Sequence, residues 1–167
     1  MSLPRRVLIA SRGEIAVRIA RTCHATGIEV VAVYTEPDTG SPHVLAAQRA
    51  VQVDSYTDPE ALCEVAVATE CDAIHPGYGF LSEKPAFVRA AKAAGLVFIG
   101  PPVAAMEVMG SKTRARAAMQ AAGVPVVPGT EPGTAAELVV AADELGYPVF
   151  LKAVAGGGGK GMSIVGD

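Results

Sequence analysis

An α/β fold on a parallel sheet is predicted for this chain. Three observations predict it: short apolar runs rich in β-branched residues recur, stretches with one apolar face at helical spacing stand between them, and glycine or proline marks the joints. Strands that alternate with helices give a parallel sheet covered by helices on both faces.

Residues 7–10 (VLIA) and 28–34 (IEVVAVY) read as buried strands. Between them, residues 14–26 set Ile15, Ile19, Ala20 and Cys23 on one helical face, and Gly27 stands where a helix would stop. Residues 50–53 form a short strand. Asp58-Pro59-Glu60 then supplies a cap, a first-turn proline and an early acid for a helix running to about residue 70. Ala73-Ile74 is the next strand, residues 84–94 the next helix, and residues 96–99 a strand closed by Gly100-Pro101-Pro102. Two short Ala- and Met-rich helices follow, over residues 103–109 and 112–122, with the look of a connector. Residues 126–133 hold two prolines and two glycines and mark a boundary. Thr134-Ala135-Ala136-Glu137 is a capping box that opens a helix to Leu145. Residues 149–154 and 162–165 are strands on either side of a glycine loop. The strand, loop and strand after that last helix cannot bury enough area to form a domain, so the chain reads as a truncated piece.

The chain has 167 residues, enough for one full domain and part of a second, and half of them are apolar with 19% charged, a composition that folds. Fourteen basic and seventeen acidic residues leave a net charge of -3, with no basic run and no tryptophan. That composition argues against a nucleic-acid partner. No apolar stretch approaches the roughly 18 residues a membrane span needs, and the amino terminus carries no signal-peptide core, so a cytoplasmic setting is expected. Cys23, Cys63 and Cys71 lack metal-ligand spacing and are expected to be ordinary buried or free thiols. His24 and His43 are isolated and read as ordinary histidines.

Three loops could carry chemistry. Gly156-Gly157-Gly158-Gly159-Lys160-Gly161 offers bare backbone N–H groups and one mobile cation, a combination suited to polyphosphate, although the glycines alone fit a flexible hairpin tip equally well. It is no Walker A loop, because Gly161 follows the lysine and a strand follows where a helix should start. Lys152 lies inside an apolar strand, and alternation sets it on the face opposite Leu151 and Ala153, toward the same cleft. Ser11-Arg12-Gly13-Glu14 follows the first strand, where such sheets bind ligands, but its single glycine makes a dinucleotide fingerprint weak even with Glu36 near the end of the second strand. Residues 75–83 (HPGYGFLSE) follow the fourth strand, with two glycines that permit close approach by a ligand or serve a rigid loop holding a structural His75.

Together these segments resemble the biotin carboxylase family along the whole chain. Residues 11–16 (SRGEIA) are similar to that family's opening N-R-G-E-I-A, and residues 75–83 match its H-P-G-Y-G-F-L-S-E loop without change. Phe98-Ile99-Gly100-Pro101, Met109-Gly110-Ser111-Lys112, Ala122-Gly123-Val124-Pro125, Gly146-Tyr147-Pro148 and the stretch from Lys152 to Met162 follow in the family's order. The resemblance implies a Rossmann-like pre-ATP-grasp domain over residues 1–102, a helical connector over 103–125 and the beginning of an ATP-grasp lid over 126–167. It implies that Lys112 and Lys152 contact ATP phosphates, that Gly156, Gly157, Gly158, Gly159, Lys160, Gly161 and Met162 close over them, and that Tyr78 and Gly79 lie near the biotin end of the cleft. The full enzyme would use ATP with Mg2+ (Mn2+ as a substitute) and bicarbonate to make carboxyphosphate, and would then carboxylate N1 of biotin on a carrier protein. Expected partners are the biotin carboxyl carrier protein, a carboxyltransferase subunit and a second copy of the chain through the amino-terminal domain, in a biotin-dependent carboxylase whose acceptor, an acyl-CoA ahead of pyruvate or urea, resides with another domain.

Four positions depart from the family pattern: Ser11 replaces Asn, Ser111 replaces Asp, Ala155 replaces a frequent Gly, and Lys160 replaces a frequent Arg, keeping the charge without the fork. Catalytic and metal-binding residues of the family fall beyond Asp167, so the 167-residue chain alone is expected to be inactive. A non-catalytic association module, with Arg18 and Arg21 on the first helix near the family's dimer contact, is the alternative. Another ATP-grasp ligase would share the glycine loop but not an intact 75–83 loop.

Overall fold

The structure, a computed structural model, describes residues 3–153 and 161–166. The chain divides into two compact units, Met1–Glu107 and Val108–Asp167.

In the first unit the order is β1 (Arg6–Ile9), α1 (Gly13–Ala25), β2 (Glu29–Tyr34), α2 (Pro42–Leu45), β3 (Arg49–Gln52), α3 (Pro59–Ala68), β4 (Ala73–His75), α4 (Pro85–Ala93) and β5 (Val97–Phe98). The five strands form one parallel sheet in the order β3-β2-β1-β4-β5. β1 is the centre: Val7 lies opposite Val30 on one side and Ala73 on the other. Side chains of a strand alternate between faces, and the packing follows that period of two. Val7 and Ile9 join Ala16, Ile19, Ala20 and Cys23 of α1, whereas Leu8 and Ala10 join Leu62, Cys63 and Ala66 of α3 and Phe87 and Ala91 of α4. A strand buried on both faces must be apolar throughout, which is why residues 7–10 show no polar alternation.

The helix ends were largely written in the sequence. The Asp58 carboxylate accepts from the Ala61 N–H at 3.0 Å and caps α3 as expected. The Asp72 carboxylate ties the start of β1 to β4 by accepting from the Arg5 and Arg6 N–H groups at 2.9 and 3.0 Å. Two pieces were not anticipated, a 3-10 turn at Glu36–Asp38 and the four-residue helix α2. Both fall where β2 leaves the sheet, and Ser41-Pro42, a helix-start pair, was the available signal. β3 begins one residue earlier than expected, and β5 is only two residues long.

α5 (Val103–Met109) spans the division between the units. The second unit continues with α6 (Lys112–Ala121), α7 (Ala135–Leu145), β6 (Val149–Lys152) and β7 (Met162–Val165). Ser111 caps α6 by accepting from the Arg114 N–H. The expected capping box opens α7, with the Thr134 N–H donating to Glu137 Oε2 at 2.7 Å and the Glu137 N–H donating to Thr134 Oγ1 at 3.4 Å. β6 and β7 pair antiparallel, Val149 opposite Val165 and Lys152 opposite Met162. Phe150, Leu151 and Ile164 are all exposed on this two-stranded ribbon. Lys152 is exposed like its neighbours and lies on the face of β6 opposite Leu151.

Phe87 is fully buried and meets Phe98 edge-on at 5.6 Å between centroids. Phe87→Ala is expected to lower stability by about 3–5 kcal/mol in urea denaturation, while Phe150→Ala on the ribbon should change it by no more than about 0.5 kcal/mol.

Candidate functional site

A cavity of about 470 Å3 opens at the carboxyl edge of the sheet, lined by residues 11–15 after β1, Asp38 and residues 41–43 after β2, and residues 78–80 in the loop after β4. β1 and β4 are neighbours, and the chain runs outward from them in opposite directions, through β2 to β3 and through β4 to β5. This is the switch point of the sheet, where open α/β sheets place their ligands.

Each wall has a local cause. Gly13 takes φ +65 and turns the chain from β1 into α1. Arg12 sits at the N-cap without capping. Its guanidinium instead donates to the buried carboxylate of Asp38, which also accepts from the Tyr56 hydroxyl at 2.7 Å. Burial pushes the Asp38 carboxyl up, but the hydrogen bonds from Tyr56 and Arg12 outweigh it and leave the group below the ordinary carboxylate range. Burial and the same hydrogen bond push the Tyr56 phenol up to about 12. His43, on α2, is buried with neither ring nitrogen at a partner of normal hydrogen-bond geometry. Burial lowers its basicity, and the nearby Val33 carbonyl and Asp38 carboxylate offset only part of that.

The loop after β4 is pinned at several points. His75 accepts the Gly77 N–H on Nδ1 at 3.0 Å, which leaves Nε2 to carry the proton when the ring is neutral, and burial lowers its pKa. Gly77 has φ +66, and a Cβ there would lie 2.5 Å from both Cβ and Oγ of Ser11. The Tyr78 hydroxyl donates to Glu14. Phe80 stacks on Tyr56 with centroids 5.0 Å apart.

Sequence reading named residues 11–14, Tyr78 and Gly79, and the structure brings these to one cavity. It missed Asp38, His43 and Tyr56, which lie between β2 and α3 without motif spacing. Asp38 lines the cavity together with Glu14, whereas Glu36 is exposed and lines nothing there. In the second unit, Lys112 opens α6, Lys152 ends β6, and Met162 pairs with Lys152. Both lysines are exposed, so both can meet an anion that arrives from solvent. The base of the loop between β6 and β7 is closed by the Ala153 N–H donating to the Gly161 carbonyl at 2.8 Å. Gly161 adopts φ +71. Gly156, Gly157, Gly158, Gly159 and Lys160 lie outside the described residues. Among the described residues no group of three or more His, Cys, Asp or Glu side chains is placed to hold a metal ion, and no helix is long and apolar enough to cross a membrane.

A parallel sheet with a cavity at its switch point, followed by a second unit that ends in a two-stranded ribbon, defines a doubly wound α/β protein. The chain belongs to the biotin carboxylase family: the family described as biotin carboxylase, N-terminal domain, matches residues 3–106. The carbamoyl-phosphate synthase L chain, ATP binding domain, matches residues 111–167. A biotin carboxylase of Halalkalibacterium halodurans is 52% identical over 96% of the chain and 37% of its own length. The mitochondrial methylcrotonoyl-CoA carboxylase subunit alpha of Oryza sativa is 48% identical over 96% of the chain and 23% of its own length. The biotin carboxylase domain dimer of Hydrogenobacter thermophilus 2-oxoglutarate carboxylase, solved with MgADP, ADP and bicarbonate, superposes with a TM-score of 0.91 at 41% identity, covering 100% of this chain and 38% of that one. A biotin carboxylase of Campylobacter jejuni in an ATP complex gives the same TM-score at 42% identity, covering 99% and 39%. The chain thus spans less than two fifths of the length of these relatives.

Gly77→Ala combines a left-handed φ with a clash against Ser11, and is expected to destabilise the first unit by at least about 1–3 kcal/mol in thermal melts. The Tyr56 phenol is raised on folding, so the stability it contributes is complete below pH 10, its unfolded value, and disappears as pH rises through about 12. Denaturation across that window should show this loss, and Tyr56→Phe should remove it.

Proposed function

We propose that this chain is the amino-terminal portion of a biotin carboxylase. The whole protein would use MgATP and bicarbonate to carboxylate biotin held on a carrier protein, in a cytoplasmic biotin-dependent acyl-CoA carboxylase. One observation carries the reading: the family's loop stands unchanged at residues 75–83, at the switch point of a sheet matched across the whole chain in solved biotin carboxylases.

On this reading residues 1–102 form the pre-ATP-grasp domain, 103–125 the helical connector and 126–167 the first part of the lid. Bound ATP supplies the phosphoryl group that activates bicarbonate. The chain's own part is electrostatic: Lys112 and Lys152 hold phosphate oxygens as point charges, and Gly156, Gly157, Gly158, Gly159, Lys160, Gly161 and Met162 cover them with backbone N–H groups and a third cation. Support for the lysines is that both are exposed in the second unit, with Lys152 next to the closed base of the loop. Magnesium would be held by the nucleotide together with the metal-binding residues that the resemblance sets beyond Asp167. Tyr78 and Gly79 form the rim by which biotin enters. The carrier protein, a carboxyltransferase subunit and a second copy through the first unit are the partners; exposed Arg18 and Arg21 on α1 are available for the last contact.

The test is release of phosphate from ATP dependent on both bicarbonate and free biotin, comparing the 167-residue chain with the full-length product of its gene. Activity in the longer protein alone is expected. In that protein Lys152→Gln should raise the KM for ATP about tenfold or more, the scale of a lost charge-assisted hydrogen bond. Activity in the short chain, or in neither, would overturn the proposal.

A further inference from the structure

We propose that Glu14 is a positioning residue whose carboxylate holds the Tyr78 hydroxyl and so fixes the Tyr78 ring at the cavity rim; this rests on the reading of that rim as the entry for biotin. Tyr78 stands between Gly77 and Gly79, with φ +66 and +70, and Phe80 follows at φ +40. Its ring is 58% exposed, so packing does little to select among the staggered rotamers open to it. The backbone on either side is fixed by other means, Gly77 against Ser11 and Phe80 on Tyr56. Among the described residues the Tyr78 side chain makes one hydrogen bond, to Glu14 in the first turn of α1, 64 positions away in sequence.

Glu14 is suited to that task. α1 is a 13-residue helix anchored on the sheet by Ala16, Ile19, Ala20 and Cys23, so its first turn is a rigid base. A carboxylate there is favoured by the helix dipole, and the bond from Tyr78 lowers its pKa further, keeping it ionised as an acceptor. The nearby cation does not compete, because Arg12 directs its guanidinium to Asp38. Among the described residues Glu14 forms no ion pair.

The experiment uses the full-length gene product with free biotin and ATP varied separately. Glu14→Ala and Tyr78→Phe are each expected to raise the KM for biotin about fivefold, the size of one exposed hydrogen bond, and to leave the KM for ATP unchanged. The double variant should be no worse than either single one. Glu14→Gln, which keeps an acceptor oxygen, should restore the KM for biotin to within about twofold of the unaltered protein, a small residual loss on the scale of exchanging a charged for a neutral acceptor. Glu64→Gln on α3 serves as the control. If the unaltered protein shows no biotin-dependent turnover, the reading of the site fails and takes this inference with it. Should that protein be active while either single variant leaves the KM for biotin unchanged, while the two effects multiply, or while the KM for ATP shifts equally, the positioning role alone is overturned.

Discussion

The end of β1 and the loop leaving β4 meet with no room for one more carbon, since a side chain at position 77 would fall 2.5 Å from Ser11. Parallel pairing of these two strands and the course of residues 75–83 are therefore a single constraint. β1 and β4 adjoin only if the loop passes over Ser11, and the loop can pass there only as glycine. Ser11 is itself buried, so the contact is internal to the fold, beneath the cavity that residues 78–80 then border.

A second tier of the site is polar and costly. A buried carboxylate carries a desolvation penalty of several kcal/mol unless donors surround it. Asp38 meets this with Arg12 from the end of β1 and Tyr56 from the approach to α3. Tyr56 in turn supports Phe80 by stacking. Segments following β1, β2, β3 and β4 are thus joined through one buried acid in the cavity wall. His43 stands beside this group, lowered in basicity by burial, so it adds bulk more readily than charge.

The sheet was legible in the sequence because its physics is periodic. Strands such as 7–10 are apolar throughout when both faces are covered, helices such as α3 announce themselves with Asp58-Pro59-Glu60, and glycines mark the ends. β5 was overestimated because apolar residues 96–99 look alike whether or not they pair, and only Val97 and Phe98 do. At the site, the loop of residues 75–83 stood out by its glycines, and the family resemblance then singled out Tyr78 and Gly79 in it. Asp38, His43 and Tyr56 did not stand out, since their roles arise from three chain segments converging, and nothing in spacing reveals an acid that will be buried against an arginine 26 positions earlier.

The ribbon of β6 and β7 has a consequence outside enzymology. It bears exposed Phe150, Leu151 and Ile164 on strands whose outer edges pair with no other strand among the described residues. Open edges and apolar side chains are the features that draw chains together and recruit chaperones. On the ribosome this ribbon emerges after the first unit is complete, so a nascent chain paused here would present a folded half and an adhesive half.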